Sequence, residues 1–152
     1  MRITTKCSIG LHCLMVIHEY AGKRKVTSEL LAKSTGCNPA AIRSILLALQ
    51  KSGIISVARG VGGASLNKTP DELTVWDVYQ ALDPDGLNHL IGMHPSPSEK
   101  CPVGQQIHSV LNTTYQEIGS SVQKTMSEIT LQQILDNYHL SKTKDKNEVR
   151  KP

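Results

Sequence analysis

Between Thr27 and Leu66 the chain is punctuated so closely that few folds accommodate it. Asn38 followed by Pro39 marks a helix start: a carboxamide that accepts from free amides, then a residue whose missing amide costs nothing in a first turn. Gly53 marks the end of that helix, and Ile42, Ile45, Leu46 and Leu49 fall on one face between the two marks. A shorter helix precedes it, opened by Thr27, whose hydroxyl suits the amide of Glu29 or Leu30, and stopped by Gly36. Beyond Gly53, the stretches Ile54 to Arg59 and Ala64 to Leu66 alternate apolar and polar residues around Gly60-Val61-Gly62-Gly63, the pattern of a two-stranded hairpin. Upstream, about Thr4 to Tyr20, Ile9, Leu14, Ile17 and Ala21 recur at helical intervals. Helix, helix, helix, hairpin is the order of a winged helix-turn-helix domain. The expected fold class is therefore mainly α, with a two-stranded wing.

The rest of the chain predicts a different kind of element. A helix opens at Thr74, with Asp77 completing an acidic capping box, and carries Val75, Val78, Tyr79 and Leu82. Pro84, Gly86, Gly92, Pro95 and Pro97 then break all periodicity up to Lys100, which predicts an irregular loop of the kind that is usually functional. After it Val103, Ile107, Val110, Thr114, Ile118, Val122, Met126 and Ile129 form a near-heptad stripe on one long helix. A chain of 152 residues buries about two-thirds of its exposable surface and has little to spare for that stripe. The same helix of a second copy is the natural cover, so a homodimer is expected. A short helix from Thr130 to Tyr138 follows, and the charged tail from Ser141 onward is expected to be disordered. The domain reading is 1–83 for DNA binding, 84–101 for a possible sensing loop, 102–140 for dimerisation and 141–152 for the tail.

Charge divides along the same line. Residues 1–68 carry ten Lys or Arg against two acids, residues 69–140 two against nine, and residues 141–152 five against two. A basic front joined to an acidic back predicts that one half meets a polyanion while the other does something else. With no Phe, one Trp and four Tyr, a sheet that stacks RNA bases on exposed rings is poorly supported. His12 and His18 interrupt the apolar stretch that follows Arg2 and Lys6, and no small-residue cleavage site follows, so a signal peptide is rejected. No run is long enough to span a bilayer. The four cysteines show neither a CxxC pair nor the density of a secreted scaffold; a cytoplasmic location with free thiols and no membrane partner is expected.

Double-stranded DNA is the expected partner. The helix opening Pro39-Ala40-Ala41-Ile42-Arg43-Ser44 suits a recognition helix: Ala40 and Ala41 permit close approach, and Arg43 pairs with guanine or with phosphate. Asn38, Ser44 and Thr27 at the helix starts would hold the DNA backbone, with Arg2, Lys6 and Lys51 acting on phosphate. The glycine run does not cradle a nucleotide, because it lies between two strands rather than between a strand and a helix. It reads better as a wing, with Arg59 and Val61 towards DNA.

Residues 1–6, Leu49 to Ser56, Arg59 to Leu66 and Leu73 to Val78 together resemble the Rrf2 family of bacterial transcription regulators, of the IscR and NsrR types, over residues 1 to about 135. The resemblance implies a dimeric winged-helix repressor whose long helix joins the subunits. Several members read iron-sulfur status through three cysteines in the loop before that helix. Here Cys101 alone remains, at the last of the three positions; Pro95 stands at the middle one and His89 falls near the first. Such a cluster wants four ligands, usually thiolates, with His as the common substitute. His89, His94, Cys101 and His108 are weak candidates for that set or for a zinc or iron site, since their spacing matches no metal motif. No cofactor is expected.

Thiol chemistry is the better sensing expectation. Cys37 and Cys101 each precede a proline-opened helix, near the positive end of its dipole, where a thiolate is favoured. Oxidation to a Cys37–Cys101 disulfide between subunits would shift the recognition helices. Cys7 and Cys13 are expected to pack on different faces of the first helix. Control by a partner protein or a small effector, without cysteine chemistry, stays open. An enzyme using Cys101 with His94 or His108 would need an oriented base and an oxyanion site, and nothing supplies them.

Overall fold

The computed structural model describes residues 4–58 and 63–148. Six helices and one hairpin follow in the order α1 (Lys6–Tyr20), α2 (Ser28–Thr35), α3 (Pro39–Lys51), β1 (Ile55–Val57), β2 (Ala64–Leu66), α4 (Val75–Leu82), α5 (Pro102–Glu128) and α6 (Leu131–Glu148), with a short 3-10 turn at Gly86–His89. The local chemistry sets these boundaries. The Thr27 hydroxyl accepts from the Leu30 amide at 3.2 Å to start α2, and the Asn38 carboxamide accepts from the Ala41 amide at 2.8 Å to start α3. Gly36 and Gly53 follow these helices with φ of +71° and +72°, a region that favours glycine.

The strands pair antiparallel, Ile55 with Leu66, Ser56 with Ser65 and Val57 with Ala64. Asn67 locks the root of the hairpin, its side-chain amide donating to the Gly53 carbonyl at 3.1 Å and its carbonyl accepting from the Ser56 hydroxyl at 2.6 Å. The Ala64 amide donates to the Val26 carbonyl at 3.1 Å, tying the wing to the α1–α2 connection. Gly63 permits this approach, because a Cβ there would stand 2.6 Å from the Val26 amide nitrogen and 2.7 Å from its carbonyl oxygen.

One core joins these parts. Leu14 and Ile17 of α1, Leu31 of α2, Ile42 and Leu49 of α3, Ile55, Leu73 and Val78 are fully buried; each such aliphatic side chain contributes about 1.5–3 kcal/mol. All four positions expected on the inner face of α3 are buried. On α1 the aliphatic stripe is only half right: Ile9 is half-buried and Ala21 exposed, while Cys7, Gly10 and Cys13 face inward. Gly10 lies directly against Leu82 and Val78, so α1 and α4 cross closely enough to select small residues. Cys7 and Cys13 accordingly share the core rather than diverging.

The Thr74–Asp77 capping box forms, with the Thr74 amide donating to the Asp77 carboxylate at 2.9 Å and the Asp77 amide to the Thr74 hydroxyl at 3.1 Å. A two-residue bridge beside it, Val75 amide to Ile129 carbonyl at 2.9 Å and Leu131 amide to Leu73 carbonyl at 2.8 Å, returns α6 to the N-terminal half. There Leu131 and Leu135 are buried. The expected short helix with a disordered tail is corrected: α6 continues past Tyr138 to Glu148, and residues 149–152 lie outside the described residues. No Gly or Pro interrupts 131–148, and exposed side chains support the extension. Gln132 donates to Asp136 at 2.8 Å, and His139 Nε2 lies 3.0 Å from Glu19 on α1. A solvated helix needs no apolar stripe once its first turns are anchored. No helix among the described residues is long and apolar enough to cross a membrane.

Candidate nucleic-acid interface

With Ile42, Ile45, Leu46 and Leu49 turned inward, α3 presents Ala40, Ala41, Arg43, Ser44, Leu47 and Lys51 to solvent. Positions 40, 43, 44, 47 and 51 recur at helical spacing, so they form one ridge. Arg43 stands at its centre, its side chain 60% exposed, and its nearest anion is Glu29 of α2 at 3.7 Å. That tie is loose. The Glu29 carboxyl is held below its usual range first by its own backbone amide and then by the Ser28 hydroxyl, with Arg43 the last contributor. The guanidinium is thus free to exchange Glu29 for another acceptor.

The sequence candidates separate into groups. Ala40, Arg43, Ser44 and Lys51 share the ridge, with Ala41 exposed beside it; Asn38 and Thr27 are used as caps of α3 and α2, Asn38 exposed and Thr27 half-buried; Lys6 is exposed in the first turn of α1. Arg2, Arg59 and Val61 lie outside the described residues. Leu47, 52% exposed in mid-ridge, is an exposed apolar position that reading from sequence missed. A leucine is ordinarily assigned to the core, but its place two residues beyond Ile45, off the inner stripe, was a usable signal. Apolar side chains at such positions suit thymine methyl groups.

On α5 no residue is buried. Val103 is 68% exposed and Val110 59%, and Ile118 is exposed too; Ile107 and Val122 are half-buried, and Met126 packs against the core. The 27-residue helix therefore leaves Val103, Val110 and Ile118 of its apolar stripe exposed.

The cysteines divide by exposure. Cys13 is completely buried, its thiol pushed up to about 12 by burial, with Cys37 adding to the effect. Burial raises the Cys7 thiol as well. Cys37 is half-buried against the core just before α3, its thiol 3.8 Å from the Thr35 carbonyl, and Cys101 is exposed at the N-cap of α5. The metal candidates do not converge. His94 and His108 meet edge to face at 5.5 Å, but His108 Nε2 donates to the His94 carbonyl at 2.8 Å and is thereby spent. The side chain of His89 lies outside the described residues. Among the described residues no three of His, Cys, Asp and Glu gather around a common point.

The family model that matches residues 3–137 is Rrf2, described as an iron-dependent transcriptional regulator. YwnA of Bacillus subtilis (strain 168), named provisionally as an HTH-type transcriptional regulator, is 28% identical over 135 residues, covering 89% of this chain and 98% of YwnA. Among solved structures, T. potens IscR aligns with a TM-score of 0.67 at 19% identity, over 91% of this chain and 88% of that one. CymR, the global cysteine regulator of B. subtilis, aligns with a TM-score of 0.63 at 18% identity, over 90% of this chain and 97% of that one. At these identities the two structures speak for the fold. The family match spans nearly the whole chain, and its members are regulators rather than enzymes: this chain belongs to the Rrf2 family of DNA-binding transcriptional regulators.

Proposed function

We propose that the chain works as a homodimeric, sequence-specific repressor. The ridge of α3 carries the reading: its apolar face is consumed by the core, while its outer face offers one loosely held arginine, two alanines that admit a close approach and a lysine at the far end. Two such helices joined through the exposed stripe of α5 enter successive major grooves about 34 Å apart on a palindromic operator. Lys6, Lys51 and the wing residues Arg59 and Val61 act with Arg2 on the flanking backbone and minor groove. Light scattering and titration of labelled genomic fragments at several salt concentrations test this. A dimer whose logarithm of affinity falls by about 0.9 per phosphate for each tenfold rise in salt is expected. A monomer with no affinity for any duplex overturns it.

The placement of the thiols favours oxidation as the signal. Cys101 is exposed where α5 begins, and Cys37 sits where α3 begins. In a disulfide between subunits each thiol loses one proton and one electron, and a peroxide oxidant takes both pairs and is reduced to water. Loss of operator binding after peroxide, with a covalent dimer on a non-reducing gel that Cys37→Ser and Cys101→Ser each abolish, is expected. Unchanged control in both variants transfers the signal to a small effector or a partner protein.

A further inference from the structure

We propose that the cleft between α4, residues 84–93 and α5 is a binding site for a small planar aromatic molecule that is neutral or singly cationic. The cleft encloses about 760 Å³, within the range of small-molecule sites. Trp76, Leu90, Ile91 and Met93 are among its apolar lining, and Gln80 and Gln116 among its amides. Among the described residues lining it, Asp85 carries the single charge, and no Lys, Arg or His is present. Amide groups hydrogen-bond the edge of a heteroaromatic ring, the indole offers a face for stacking, and one carboxylate accepts a cation and repels an anion.

Its walls are pinned. Trp76 stacks on Tyr79 at 5.7 Å, and the Tyr79 hydroxyl is fixed between Asp83 at 3.3 Å and the Gly86 carbonyl at 3.2 Å. At the other end the segment is strapped to α5. His108 donates to the His94 carbonyl, Gln105 donates to the Glu99 carbonyl at 2.6 Å, and Gly104 leaves room for the Ser98 carbonyl. Leu87 rests where Gly119 has no side chain, 3.8 Å from an ideal Cβ. A rigid concavity needs less ordering when a ligand enters.

A second copy does not fill the cleft. On a helix turning 100° per residue, Asn112, Gln116, Gly119 and Gln123 lie about 170° from the stripe of Val103, Val110 and Ile118. Dimerisation through that stripe therefore leaves the cleft open on the far side of α5, beside α4, which packs directly on α3.

Trp76 is the one tryptophan in the chain, so its fluorescence, corrected for absorption and emission by each probe with free tryptophan as the reference, reports the cleft without DNA. The probes are N-methylquinolinium, naphthalene-2-carboxamide and naphthalene-2-carboxylate, matched in size and differing in charge, titrated into the full chain. Saturable quenching by the cation and the neutral amide, with dissociation constants on the order of 1 mM or tighter, and none by the anion is expected. Ser120→Phe, which fills the cleft from α5, weakens both by about tenfold or more with helix content and dimer mass unchanged; Asp85→Asn cuts the preference for cation over amide by about three- to fivefold. Linear, unsaturable quenching by all three probes overturns the site, as does saturable binding that ignores Ser120→Phe or favours the anion.

Discussion

Replacing Arg43 with alanine removes a side chain that is 60% exposed, takes no part in a cap or the core, and touches a charged partner only at 3.7 Å. The fold should not notice: alanine is the better helix former, and a surface change of this kind falls within about 0.5 kcal/mol. Operator binding should notice strongly. A bidentate arginine–guanine contact is worth about 1–3 kcal/mol of discrimination, so affinity for the operator should fall by about 5- to 150-fold while affinity for random duplex falls far less. If Arg43 instead sits on a phosphate, both fall together and the salt slope becomes shallower by about 0.9. Anisotropy titrations of operator and scrambled duplex at three salt concentrations separate the cases. Glu29→Gln gives the matching control: freeing Arg43 of its carboxylate, and removing an anion from beside the duplex, should tighten binding modestly at low salt. Unchanged operator affinity, unchanged discrimination and unchanged slope in Arg43→Ala would refute the assignment of the ridge to DNA.

Three other outcomes follow from the packing. Val110→Asp places a carboxylate in the exposed stripe of α5, so light scattering should report a folded monomer and the operator affinity of the dimer should be lost; a dimer of wild-type strength would move the interface elsewhere. Gly63→Ala drives a methyl group into the Val26 backbone, which cannot swing aside as a side chain does, and should cost about 1–3 kcal/mol in a denaturant melt together with DNA affinity. The Cys13 thiol is raised from 9.0 to about 12 in the folded chain, so the folded state holds that proton more tightly than the unfolded one. Stability from this source is complete below pH 9 and is lost as pH rises towards 12. A Cys13→Ala variant should show a shallower alkaline loss, and a disulfide-exchange dye should label Cys101 first and Cys13 only in denaturant.

Much of this fold was legible because its boundaries are written in short-range chemistry. Thr27, Asn38-Pro39, Gly53 and the Thr74–Asp77 pair each act within four residues, so reading them needs no tertiary knowledge. What failed required knowing which helices cross. Nothing local tells Gly10 that Val78 and Leu82 will lie against it, or Cys7 and Cys13 that they will be buried more deeply than Ile9, and an aliphatic count therefore passed over all three. The continuation of α6 was missed for a related reason: a charged, stripe-free segment reads as unstructured, yet it grows from the anchored turn of Leu131 and Leu135 and is held by His139 against Glu19. The ridge of α3 was legible in Arg43 but passed over in Leu47, where the habit of assigning leucine to the core outweighed its place off the inner stripe. The segment that walls the cleft beside α4 was legible as an irregular loop from Pro84 to Lys100, but the cleft itself was not, because that wall is placed by contacts as distant as Tyr79 with Gly86 and His108 with His94.

The opposed charges of the two halves bear on how such a dimer approaches its operator. The first 68 residues hold ten cations against two acids, and the following 72 hold two against nine. A polyanion attracts the first half and repels the second, so on the proposed binding mode the charges favour an approach through α3 over one through α5. Orientation then precedes contact, and fewer encounters are wasted on the wrong face. If the proposed cleft takes a ligand, the same repulsion disfavours anionic molecules there, since Asp85 is the one charge among the described residues that line it. Reversing that charge with Asp85→Lys should therefore admit naphthalene-2-carboxylate to the cleft and speed non-specific association with duplex at low salt. Failure of both changes to appear would mean that the acidic half acts through its fold alone and not through its field.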